Sequence, residues 1–114
     1  MAEPAPFAVS VADRAGARVI TVSGEVDAHT AEAVRTPVEA AIGPGARVVV
    51  DLSDVTFMDS TGLGIFVIAF KHLREHEGSL DLVITSPRVL KVFAVTGLDV
   101  VIPIHDELET ALTL

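Results

Sequence analysis

Val48-Val49-Val50-Asp51-Leu52-Ser53-Asp54-Val55-Thr56-Phe57-Met58-Asp59-Ser60-Thr61-Gly62-Leu63-Gly64, continued by Ile65-Phe66-Val67-Ile68-Ala69-Phe70, decides the fold of this chain. Three consecutive valines ending in a carboxylate, Asp51, read as a buried strand leaving a core. A short loop is expected after Leu52. Asp59-Ser60-Thr61-Gly62 then opens a stretch with no polar residue from Leu63 to Phe70, which reads as a buried helix. The Ser60 hydroxyl falls at the first turn of that helix, on the surface and within reach of another protein's active site. Ser60 is therefore expected to be a switch.

Outward from this stretch, the pattern alternates strands and helices. Phe7, Val9 and Val11 alternate with smaller or polar residues, Asp13-Arg14-Ala15-Gly16 reads as a turn, and Val19 to Val22 as a second strand. These two predict an antiparallel hairpin. Gly24-Glu25-Val26-Asp27 reads as a loop into a helix over Ala28 to Ile42, with Ala31, Val34, Val38, Ala41 and Ile42 on one face. Pro37 lies inside that helix and predicts a kink. Gly43-Pro44-Gly45 stops it, and Arg47 to Leu52 is the third strand.

The helix opened by Ser60 is expected to run to Glu77, with Gly78 as its C-terminal stop. Leu80 to Ile84 is strand four. Ser86-Pro87 starts a helix ending near Gly97, because serine caps and proline suits the first helical position. Val100 to Ile104 reads as strand five, and Asp106 with Glu109 as a capping box for a last short helix. The fold class is α/β: one mixed, mostly parallel sheet of about five strands, with an antiparallel N-terminal edge and about four helices. Residues 1–6 are expected to be a flexible tail and residues 7–114 one domain.

Composition narrows the function. A chain of 114 residues suits a single domain. Hydrophobic residues make up 50% of the chain, which opposes disorder, while aromatics at 4% leave no stacking platform for single-stranded nucleic acid. A net charge of −8 disfavours nucleic acid and anionic membranes as ligands. An acidic surface suits a basic protein partner and equally suits solubility. Without cysteine there is no disulfide framework and no thiolate metal site. The opening residues carry no basic residue and no apolar stretch, so no signal peptide is read there, and a cytoplasmic location is expected.

Asp59-Ser60-Thr61 also reads as a plain helix cap, since all three residue types cap helices. Resemblance separates the two readings. Phe57-Met58-Asp59-Ser60-Thr61-Gly62-Leu63-Gly64, preceded by Val49-Val50-Asp51-Leu52, resembles the signature of the anti-sigma factor antagonists, single-domain proteins of the STAS fold. Gly24-Glu25-Val26-Asp27 with Thr30-Ala31 resembles the family's other loop. The resemblance implies a phosphorylation site at Ser60 and a partner surface of Asp27, Thr30, Met58, Asp59, Ser60, Thr61 and Gly62. It implies as partners a serine kinase that is also the anti-sigma factor, and a phosphatase acting on phospho-Ser60. The unmodified antagonist binds the kinase and frees the sigma factor; the phosphorylated form does not bind. The free chain is expected to be a monomer. A STAS scaffold in a stress-sensing or transporter complex, without a switch, is the alternative.

Other motifs lead elsewhere. His72-Leu73-Arg74-Glu75-His76 matches an inverted zinc-protease pattern but falls on the polar last turns of a helix, which a solvated face explains. Asp51, Asp54 and Asp59 suggest the acidic pocket of a receiver domain, yet Ile104-His105-Asp106 supplies no lysine after the fifth strand. Thr61-Gly62-Leu63-Gly64 is not followed by the Lys-Ser/Thr of a P-loop. His29 and His105 read as loop residues without partners. No nucleophile stands beside a base, so neither an enzyme nor a bound cofactor or metal is expected; a small phosphate- or metal-dependent enzyme is the remaining rival.

Overall fold

A tight turn at Ala15-Gly16, both at positive φ (52° and 78°), folds strand β1 (Ala8–Arg14) onto β2 (Ala17–Val26) in antiparallel register, Arg14 facing Ala17 and Ala8 facing Ser23. Positive φ at both central residues gives the turn the right-handed twist that a two-residue hairpin needs. The computed structural model describes residues 6–113. The tail expected over residues 1–6 therefore lies, apart from Pro6, outside the described residues.

The chain continues through α1 (Ala31–Ala41), β3 (Arg47–Met58), α2 (Ser60–Glu75), β4 (Ser79–Val83), α3 (Pro87–Val95), a 3-10 turn (Leu98–Val100), β5 (Ile104–His105) and α4 (Leu108–Leu112). The five strands form one sheet in the order β1-β2-β3-β4-β5, parallel everywhere except at β1. The mixed sheet read from the sequence is therefore the sheet observed. Helices α1, α2 and α3 bury Val34, Val38, Phe66, Leu73 and Phe93 on one face, against Ile20, Val50 and Leu82. The short α4 covers the other face, placing Ala111 and Leu112 on Val19, Val49 and Val83.

Several boundaries differ from the sequence reading. Strand β3 does not stop at Leu52 but runs to Met58, and β2 continues through Gly24-Glu25-Val26, which had read as a loop. The two strands extend together. Register shifts after Thr21 and Gly24 let Val26 pair with Met58, and Val55 and Met58 turn into the core. Cross-strand pairing overrides the turn preference of Ser53 and Asp54. Helix α1 starts at Ala31 rather than Ala28, and continues as helix through Pro37.

At the end of α2 the left-handed residue is Glu77 (φ 61°), not Gly78. Gly78 is needed for another reason: a Cβ there would lie 2.6 Å from the Ala46 carbonyl oxygen. Val100 to Ile104 is not a strand. Pro103 accepts a hydrogen bond from Leu82 N–H (2.9 Å) but has no N–H to return, so β5 is limited to Ile104 and His105. His105 is no loop residue either, because its Nε2 lies 2.8 Å from Asp81 Oδ1 across β4 and β5. The capping box of Asp106 and Glu109 does not form; Glu107 holds the cap position and Glu109 accepts from Arg14 at 2.7 Å.

Candidate functional site

Two aspartates leave the sheet side by side. Val26 and Met58 are register partners on parallel strands, so Asp27 and Asp59, each one residue further, emerge at the same level. Asp59 N–H donates to Val26 O (3.3 Å) and ties the two exits together. Each carboxylate then folds back onto the chain ahead of it. Asp59 Oδ1 accepts from Thr61 N–H (2.9 Å) and Gly62 N–H (3.2 Å), capping α2. Asp27 Oδ1 accepts from His29 N–H (2.8 Å) and Thr30 N–H (3.2 Å). Thr30 completes the second loop: its hydroxyl donates to Glu25 O (2.8 Å) and accepts from Asp27 N–H (3.0 Å). Both loops are thereby fixed by local hydrogen bonds, which satisfy donors that a helix start otherwise leaves open.

Ser60 is the first residue of α2 and is exposed. The cap comes from Asp59, so the Ser60 hydroxyl is not needed to hold the helix. Thr61 beside it is also exposed. Met58 and Gly62, both expected on the partner surface, are instead buried, Met58 being 3% accessible. Their place is underneath. A Cβ on Gly62 would stand 2.7 Å from Val26 Cγ1 and 3.0 Å from Met58 Cγ, so only glycine lets α2 start this close to the strand ends. Burial of Met58 follows from the extension of β3, which its loop reading concealed.

One exposed residue escaped the sequence reading. Ile68 is 53% accessible in a helix that had read as wholly buried. It lies eight residues beyond Ser60, about 12 Å along the axis, and shares a stripe with Ser60 and Gly64. Nothing lies within 4 Å of where a Gly64 Cβ would be, so this stripe is open. The available signal was the uninterrupted apolar run itself. A helix lying on a sheet buries one face, so some of those residues had to face outward.

Among the other candidate groups, Asp51 and His76 are engaged locally. Asp51 Oδ1 accepts from Ser53 N–H (3.0 Å) and Ser53 Oγ–H (2.6 Å), while Asp59 caps α2. His76 Nδ1 lies 2.8 Å from the His72 backbone oxygen. No helix among the described residues is long and apolar enough to cross a membrane.

Comparison with known proteins gives the class. The sequence model of the STAS domain matches residues 8–111. The anti-sigma-B factor antagonist of Listeria monocytogenes is 44% identical over 88 residues, 76% of this chain and 77% of that protein. Among solved structures, an anti-sigma factor antagonist from Mycobacterium paratuberculosis superimposes with a TM-score of 0.86 at 32% identity, covering 98% of this chain and 96% of the other. The Bacillus cell fate determinant SpoIIAA, in its phosphorylated form, matches at 29% identity and a TM-score of 0.68, over 92% and 96% of the two chains. This chain belongs to the STAS domain family, and the relatives it resembles are anti-sigma factor antagonists.

Proposed function

We propose that this protein is an anti-sigma factor antagonist working by partner switching, with Ser60 as the switch. In its unmodified form it binds an anti-sigma factor that is also a serine kinase, and the sigma factor is released. The kinase then joins the Ser60 oxygen to the terminal phosphorus of ATP; that phosphorus parts from ADP and the hydroxyl proton is lost. The modified chain leaves, and a phosphatase restores it by hydrolysis. The contact surface comprises Ser60 and Thr61, the Asp27-Thr30 loop and Ile68, with Met58, Asp59 and Gly62 holding it from below. The chain is one domain over residues 7–114, monomeric when free, and not an enzyme.

The observation that carries this reading is the exposed Ser60 at a helix start whose cap is supplied by its neighbour. A phosphoryl group adds about −1.5 to −2 charges at neutral pH. At a helix N-terminus the dipole favours an anion by about 0.3–1 kcal/mol, so the fold tolerates it. At an interface, the same charge meets Asp59 and Asp27 on this side and the nucleotide phosphates of the partner. A loss of about 3 kcal/mol there lowers affinity more than a hundredfold. Relatives named for antagonism and a phosphorylated structural neighbour support the assignment.

Intact-mass measurement after incubation with ATP and the cognate kinase tests it. One phosphate, absent in Ser60→Ala, is the expected result. Ser60→Asp is expected to lose kinase binding at near-unchanged stability, whereas Ser60→Ala binds constitutively. Tight kinase binding by Ser60→Asp would overturn the switch.

A further inference from the structure

Four of the chain's eight Lys/Arg residues stand on the last turns of α2 and on α3: Lys71, Arg74, Arg88 and Lys91. The other four are engaged. Arg14 pairs with Glu109, Arg18 with Asp13 and Arg35 with Glu32, while Arg47 donates to the carbonyls of Ala15 and Leu112. Among the described residues, no carboxylate lies within 4.0 Å of the first four, although acidic residues outnumber basic ones 16 to 8.

The same region holds apolar side chains in water. Val95 is 75% accessible, Val100 86% and Val101 49%, all on α3 or the turn after it. Between that turn and α2 lies an open groove of about 610 Å³, floored by Val67, Phe70, Leu98, Val101 and Ile102. Lys71, Arg74 and Glu75 form its rim, and the Arg74 guanidinium sits 5.6 Å from the Phe70 ring centroid. Of these residues Val101, Lys71 and Arg74 line the groove itself, so an exposed aliphatic side chain and two cations without a carboxylate within 4.0 Å meet on one concave surface. Lys71 is eleven residues beyond Ser60, about 16 Å along the helix, so this surface is separate from the switch.

We propose that the groove docks an acidic amphipathic segment of a partner protein, with aliphatic side chains on its apolar floor and carboxylates on Lys71 and Arg74. Charge complementarity selects such a segment: in a molecule of net charge −8, Lys71 and Arg74 stand on this rim with, among the described residues, no carboxylate within 4.0 Å, and outnumber the one acid there, Glu75. Concavity favours a peptide segment over a bilayer, because a helix or strand fills a groove that a flat surface bridges. An anionic bilayer would also meet the repulsion of the whole molecule. The inference does not rest on modification of Ser60.

The probe is a synthetic amphipathic 16-residue peptide with leucines at helical spacing flanked by glutamates, titrated into the isotope-labelled chain. Amide shifts are expected within residues 67–75 and 98–102. The Lys71→Glu/Arg74→Glu double variant weakens binding at least about tenfold, or about 1.4 kcal/mol. Val101→Asp, at a half-exposed position, weakens it comparably, and Ser60→Asp leaves it unchanged. Absence of shifts in the groove at about 1 mM peptide, far weaker than useful recognition, overturns the proposal. So does equal binding of a peptide carrying lysines for glutamates. Sedimentation with phosphatidylserine vesicles without any response to the peptide would assign the surface to a membrane instead.

Discussion

Gly62 lies against Val26 so closely that an added Cβ would come within 2.7 Å of Val26 Cγ1. One residue of α2 is thus fitted to the end of β2, and that fit fixes where the helix that begins at Ser60 leaves the sheet. Gly62→Ala forces either the helix start or the fully buried Val26 to move. Overpacking of this kind costs about 1–3 kcal/mol. Urea denaturation should show that loss, with weakened binding of the proposed kinase partner even where the variant folds. Unchanged stability would mean that the two elements are not in contact.

Asp59 and its neighbour Ser60 divide two tasks. Asp59 accepts from two backbone donors at the start of α2, and Asp59→Ala should lose about 1 kcal/mol of stability. Ser60→Ala removes an exposed hydroxyl outside the cap and should stay within about 0.5 kcal/mol of wild type. Thermal or chemical denaturation of the two variants checks the division. Equal losses would place Ser60 in the cap.

Much of this was legible in the sequence, for physical reasons. The valines of β3 and the periodic face of α1 record burial, and burial is what side-chain patterns encode directly. Asp59-Ser60-Thr61-Gly62 was legible because capping is local. Features set by distant partners were not. Met58 reads as part of a loop until β2 and β3 are seen to extend together, and Ser53-Asp54 suggest a turn that cross-strand pairing overrules. Val100 and Val101 look like strand residues because they are aliphatic and β-branched. Yet Pro103 curtails the ladder that would have used them, and they are left in water. Glu109 has the spacing for a capping box, but Arg14, distant in sequence, engages it.

The end of α2 offers a test with two signs. Glu77 adopts φ 61°, a conformation that costs a residue with a side chain about 1–2 kcal/mol and glycine little. Glu77→Gly should therefore stabilise, though by less than that figure, since glycine gains freedom in the unfolded chain. Gly78→Ala should destabilise by about 1–3 kcal/mol, because its Cβ meets the rigid Ala46 carbonyl rather than a side chain that can turn away. Opposite shifts in the denaturation midpoint are the expected pair. Destabilisation by both would remove the assignment of the left-handed position to Glu77.

At the hairpin, Arg18 Nε donates to Asp13 Oδ1 at 2.8 Å, and this hydrogen bond, aided by the cation's charge, holds the Asp13 carboxyl below its ordinary 3.8. A carboxyl lowered on folding contributes fully above that ordinary value, and its contribution is lost as pH falls through the lowered one. Both groups are exposed, so the effect on stability is small and the titration itself is the better readout. Carboxyl NMR should find Asp13 titrating at lower pH in wild type than in Arg18→Ala. Identical midpoints would mean that the pair does not persist in solution.

Ile68 gives the most direct test of how the proposed partner surface extends. Its side chain is half exposed on the stripe that begins at Ser60, so it adds little to the core and is available to an interface. Ile68→Glu keeps a good helix former in place and should alter stability by no more than about 0.5 kcal/mol. A carboxylate there would have to be desolvated beneath the proposed partner, without the aliphatic contact that isoleucine offers. Affinity should fall at least about tenfold, or about 1.4 kcal/mol. Calorimetric titration of the unphosphorylated chain with the proposed kinase partner measures this directly. Binding as tight as wild type would confine the contact to the first turn of α2 and the Asp27 loop, leaving Ile68 outside it.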